Sequence, residues 1–150
     1  MSDENGETLP VAALRASLRL HASREGLTCE DRPAPAGGLR AVLAPASGEG
    51  EMVFAAAPAS ADHLSLSLVL VVDRDFFGEN PGRILDVTSR YGACVSISGD
   101  GDPAGGGLGE DEAFLNLTLR IFTEGWNRHV FAAALRTLRS AKDGLAEEFA

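Results

Sequence analysis

The eleven residues His63–Asp73 constrain this chain more than any other stretch. Leu64, Leu66, Leu68, Leu70 and Val72 share one side of a two-residue period. The other side begins with Ser65 and Ser67 and ends with Val69 and Val71. A strand apolar on one face, and turning apolar on the second, belongs in the middle of a sheet with its second face partly covered. It needs strands on both sides. Residues 39–44 and 51–57 alternate upstream, with Met52, Phe54 and Ala56 on one side of the latter. The Pro, Gly and Ser-rich run 45–50 between them reads as a hairpin loop. Residues 28–32 are a candidate edge strand, since Pro33 and Pro35 follow closely. Downstream, 91–98 carries Ala93, Val95 and Ile97 on one side. Residues 113–122 carry Leu115, Leu117, Leu119 and Ile121 on one side, with Phe114, Asn116, Thr118, Arg120 and Phe122 on the other.

Three segments switch to helical spacing. In the first, Thr8 can cap, Pro10 suits the first turn, and Leu14, Leu18 and Ala22 form a stripe ending at Gly26. Arg15, Arg19 and Ser23 fall beside the stripe and can face water. In the second, Asn80 caps, Pro81 sits at the first helical position, Ile84, Val87, Thr88 and Tyr91 make one face, and Gly92 terminates. The third spans 127–142 before Gly144, with Val130, Phe131, Ala134, Leu135, Leu138 and Ala141 in line. The order is α-β-β-β-α-β-β-α, with room for a fourth early strand. Strands in runs indicate an α+β fold: a largely antiparallel sheet with helices packed on one face. The expected organisation is a disordered acidic tail over 1–7 and a single domain over 8–150.

Charge narrows the partners. The net charge is −9. Nucleic acids and anionic membranes are bound chiefly through Lys and Arg, so neither is an expected partner. No run approaches the roughly 20 apolar residues that span a bilayer. Met1-Ser2-Asp3-Glu4 resembles no secretory leader, and a cytoplasmic location is expected. The abundance of Arg over the single Lys, with many Ala and Gly, reads as codon bias. Cys29 and Cys94 lie far apart and form no metal-ligand spacing, so two reduced thiols are expected.

The chain offers little catalytic chemistry. His21, His63 and His129 lack partner ligands at metal spacing, and structural or surface roles are expected. Asp100, Asp102 and Gly105 match the first, third and sixth positions of a calcium loop. Ala104 and Asp111 break the pattern at the fifth and twelfth. The run Gly105-Gly106-Gly107-Leu108-Gly109 precedes acids rather than Lys-Ser/Thr and is no phosphate cradle. Asp73 and Asp75 beside Phe76 and Phe77 read as solvated acids where a strand turns into a loop. No metal, cofactor or catalytic residue is expected.

The aromatics carry more information. Phe76 and Phe77 sit in that loop, Trp126 at the turn into the last helix, and Phe149 at a fraying end. Aromatics outside the core faces either mark an interface or roll back onto the core edge.

The order of elements resembles the type III secretion chaperone-like fold. Within it the closer likeness is to the YbjN group of bacterial sensory transduction regulators. It rests on Asn80-Pro81-Gly82-Arg83-Ile84-Leu85-Asp86-Val87-Thr88-Ser89-Arg90-Tyr91-Gly92, then Phe122-Thr123-Glu124-Gly125-Trp126 and the helix over 130–138. The secretion chaperones' Leu-Leu-x-x-Asn turn is replaced by Ile84-Leu85-Asp86-Val87. The resemblance implies a non-enzymatic protein, homodimeric through the middle helix or the sheet, acting by binding another protein. The partner-binding candidates are Phe76, Phe77, Ile84, Tyr91 and Trp126. The alternative is a small-molecule binder with a pocket between the sheet and the last helix, served by Asn116, Thr118 and Arg120.

Overall fold

The structure, a computed structural model, describes residues 9–98 and 112–149. The acidic segment 1–7, the calcium-loop-like run from Asp100 to Asp111 and its glycines lie outside the described residues. The elements are α1 (Leu9–Arg24), β1 (Leu27–Asp31), β2 (Leu39–Pro45), β3 (Val53–Ala57), β4 (His63–Asp73), α2 (Arg74–Glu79), α3 (Pro81–Ser89), β5 (Cys94–Ser98), β6 (Glu112–Phe122) and α4 (Arg128–Glu148). The fold is α+β. Its antiparallel sheet has six strands in the order β1-β2-β3-β4-β6-β5, which places β4 inside the sheet. Contacts gather into two compact units, Met1–Leu66 with Arg120–Ala133 and Ser67–Leu119 with Ala134–Ala150.

In the first unit, α1 buries Leu14, Leu18 and Ala22, the expected stripe, and Val11 before it. It lies against β1 and β2. Gly26 turns the chain in the left-handed region at φ 74°, where a side chain would be strained. β1 pairs antiparallel with β2, and β2 with β3. In β3 the buried side is Val53, Ala55 and Ala57; on the other side Met52 is exposed and Phe54 half-buried. Register decides this. Leu43, Ala41 and Leu39 of β2 are core residues and stand opposite Val53, Ala55 and Ala57. A one-residue slip would put the larger side chains inward and lose that match. Phe54 instead stands opposite Val42, which is buried on the second face.

In the second unit, Asp73 leads directly into α2, a short helix where a loop is the sequence expectation. Asn80 follows it, and its Nδ2 donates to the carbonyl of Phe76 at 2.9 Å. The side chain therefore closes α2 rather than capping α3. α3 begins at Pro81 and buries Ile84, Val87 and Thr88. The Thr88 hydroxyl donates to the Ile84 carbonyl at 2.9 Å, which satisfies the one buried polar residue among those described. β5 starts at Cys94 rather than at Tyr91, because 90–92 form a turn with Gly92 at φ 70°. β6 buries Ala113, Leu115 and Leu117, and Phe114 on the opposite side is buried too.

α4 does not stop before Gly144. It runs to Glu148. The stripe Leu138, Ala141 and Leu145 continues at helical spacing, and all three are buried. A Cβ on Gly144 would lie 3.0 Å from the Tyr91 hydroxyl and 3.3 Å from a methyl of Val87. The glycine is there so that α3 and α4 can approach.

Candidate functional site

The second unit carries an apolar cleft of about 270 Å³. Leu70, Val71 and Val72 at the end of β4 form one wall and Phe76 of α2 another; Leu145, Ala146 and Phe149 close it from the end of α4. Lys142 is the one charged residue lining it. Val71 is 55% exposed, high for a valine in a strand interior.

The sequence explains the cleft locally. Val69 and Val71 turn the second face of β4 apolar toward its end. Asp75 in the first turn of α2 favours a helix there, which brings Phe76 round beside the strand end. Phe149 is not a frayed end. Its ring meets that of Phe76 edge-on, with centroids 4.7 Å apart and planes at 71°. The Arg83 guanidinium sits over the same ring at 4.5 Å. Arg83 also donates through Nη2 to the Glu148 carbonyl at 2.9 Å and through Nε to its carboxylate at 3.2 Å. Aromatic edge contact and cation–π attraction each contribute about 0.5–1.5 kcal/mol in such settings.

The expected partner residues separate on inspection. Phe76 lines the cleft. Phe77 lies in α2, and its side chain is outside the described set. Ile84 is wholly buried in the core of its unit and has no surface to offer. Tyr91 is half-buried, its ring against Gly144. A charge at Ile84 or Tyr91 would disrupt the unit itself. Trp126 belongs to the first unit. Its Nε1–H donates to Ser17 Oγ at 2.8 Å, and its ring meets Phe131 edge-on at 5.6 Å. Val71, Leu145 and Phe149 were missed. Val71 carried a signal, since an apolar residue on the polar face of β4 needs cover. Phe149 carried none, because its ring contact is made with a residue remote in sequence.

The polar groups are mostly committed. Thr118 and Ser67 share a hydroxyl–hydroxyl bond at 2.8 Å. Asn116 is half-buried and Arg120 exposed. Asp73 and Asp75 are both exposed. His63 Nδ1 lies 2.7 Å from Asp62 Oδ1, and this hydrogen bond is the main reason the Asp62 carboxyl is held below its usual range. Burial pushes the Cys29 thiol up, and Asp31 adds to the effect. Cys29 and Cys94 are free thiols. Among the described residues no group of three His, Cys, Asp or Glu is placed to hold a metal ion. No described helix is long and apolar enough to cross a membrane.

No family model matches this sequence, and no curated protein matches it. The likeness is one of fold. A crystal structure of an uncharacterized protein from Methanothermobacter thermautotrophicus superposes with a TM-score of 0.59 at 14% identity, covering 89% of this chain and 92% of that one.

Proposed function

We propose that this chain is a non-enzymatic protein-binding module, a YbjN-like regulator or secretion-chaperone-like adaptor of the bacterial cytoplasm. The observation that carries the reading is the apolar cleft over Val71, Phe76 and Phe149. Its lining suits apolar anchors of a helix or an extended segment from another protein. The resemblance carried by 80–92 and 122–138 supports the same class and adds a homodimer. The net charge of −9 weighs against nucleic acid as the partner. The small-molecule alternative gains less from the cleft. Its 270 Å³ falls below the range of about 300–1,000 Å³ usual for ligand pockets.

The test is tagged co-purification from the native host by wild type and Val71→Asp, with light scattering on the eluates. Val71 is exposed, so the substitution leaves the core intact. A stoichiometric partner that wild type retains and Val71→Asp loses supports the reading. A partner retained equally by both removes the cleft from the account. Light scattering separately reads whether the chain is a dimer.

A further inference from the structure

The apolar cleft of the second unit already holds an occupant from its own chain. Phe149 stands just past α4, and its N–H donates to the Leu145 carbonyl at 3.1 Å. Its ring meets the Phe76 ring edge-on at 4.7 Å and carries the Arg83 guanidinium over its face at 4.5 Å. Arg83 also holds the preceding residue twice. Nε donates to the Glu148 carboxylate at 3.2 Å and Nη2 to the Glu148 carbonyl at 2.9 Å. One side chain of α3 thus meets three features of two consecutive residues: a carboxylate, a carbonyl oxygen and an aromatic face. A guanidinium suits this set, since its N–H fork takes oxygens in the plane and its flat face takes a ring.

The occupant is lightly held. Arg83 and Glu148 leave 54% and 37% of their side chains exposed, where an ion pair contributes little and salt screens it. Helix ends are also the first parts of a fold to open. Leu145, one turn earlier, is buried and stays with the core when residues 148 and 149 lift. The walls of the cleft at Val71, Phe76 and Leu145 therefore survive the departure of Phe149.

We propose that Glu148 and Phe149 are an internal ligand of the cleft, holding the seat of a partner segment that carries an acidic residue next to an aromatic one. This rests on the protein-binding reading above, and it names the partner's chemistry and the regulation of the site. The incoming ring replaces Phe149 between Phe76 and Arg83. The incoming carboxylate replaces Glu148 on the Arg83 fork. An occupant attached to the same helix acts at high effective concentration, so the apparent affinity for a partner falls with the fraction of chains whose seat is open.

The test uses the full chain and a probe of the same chemistry, N-acetyl-glutamyl-4-fluorophenylalanine amide, followed by fluorine nuclear magnetic resonance at constant ionic strength. Phe149→Ala should bind it saturably, with a dissociation constant of about 1 mM or tighter, and about tenfold more tightly than wild type. Adding Arg83→Gln to Phe149→Ala should weaken the probe about tenfold, because the fork is gone. Glu148→Gln loosens the occupant and leaves its ring in place, and it should tighten the probe about threefold over wild type. That variant decides the matter if Phe149→Ala loses the native near-ultraviolet circular dichroism. Variants that bind no more tightly than wild type, or binding to Phe149→Ala that Arg83→Gln leaves unchanged, overturn the proposal. The protein-binding reading stands or falls separately, on the co-purification with Val71→Asp. A partner lost by Val71→Asp, beside a Phe149→Ala chain that binds the probe no better than wild type, leaves a protein-binding cleft without an internal ligand.

Discussion

The indole N–H of Trp126 donates to the hydroxyl of Ser17 at 2.8 Å, and the same hydroxyl reaches a neighbouring histidine. Ser17 Oγ also lies 3.1 Å from His21 Nε2. Indole can only donate, so the serine oxygen accepts from it and keeps a second lone pair and its own proton, either of which can serve Nε2. His21 Nδ1 is buried and has no hydrogen-bond partner among the described residues. Rings of Trp126 and Phe131 lie 5.4 Å and 6.3 Å from the imidazole.

The pH dependence follows from that arrangement. Burial lowers the His21 pKa below its ordinary 6.5, and Arg24 and Arg128 add repulsion. A folded-state pKa below the unfolded one stabilises the protein above the unfolded value, and the benefit is lost as pH falls through the folded value. The melting temperature should drop as pH falls below 6.5. His21→Phe should flatten that part of the profile. A variant profile as steep as wild type would remove His21 as the cause.

Trp126→Phe keeps most of the ring contact with Phe131 but deletes the bond to Ser17. A loss of about 1–2 kcal/mol in urea denaturation is expected, the usual cost of a part-buried hydrogen bond with its packing. Ser17→Ala leaves the indole N–H without that acceptor and should cost about as much.

Gly144→Ala tests the close approach of α3 and α4. In an open helix the change would gain about 1 kcal/mol of propensity. Here the new methyl meets Tyr91 at 3.0 Å and 3.1 Å and Val87 at 3.3 Å. Val87 is buried and cannot give way freely. A net loss of about 1–2 kcal/mol is expected from overpacking. The loss should shrink in a Tyr91→Ala background, and chemical denaturation of all four chains reads the coupling.

Phe149→Ala removes the ring that Phe76 and Arg83 both address. A fall of about 1–3 kcal/mol in stability is expected from the combined ring and cation contacts. Arg83→Ala alone should cost less, because its surface ion pair with Glu148 contributes at most about 1 kcal/mol.

Much of this fold was legible wherever the signal was local and periodic. The alternation of leucines defines β4, the stripe Leu14, Leu18 and Ala22 defines α1, and Pro81 and Gly92 bound the α3 segment. The misses have physical causes. α2 is too short to show a stripe, and it forms because its aromatic packs against a residue from the far end of the chain. Gly144 reads as a stop, yet it serves as a contact point for Tyr91. The core face of β3 was left open by its sequence, because it depends on pairing with β2. The site was half legible. Phe76 was marked by its position after the longest strand, whereas Ile84 and Trp126 are aromatic or apolar for the sake of the core. The grouping of Arg83 with Glu148 and Phe149 is made through space, and spacing along the chain gives no hint of it.

The most direct measurement places a photo-reactive benzoylphenylalanine at Ala146, an exposed position on the wall of the cleft, and irradiates the full chain in its native host. One dominant cross-linked polypeptide, abolished by Val71→Asp and unaffected by the same probe placed at exposed Arg136, is the result expected of a protein-binding cleft. No cross-link at Ala146, or the same products from both positions, would contradict it.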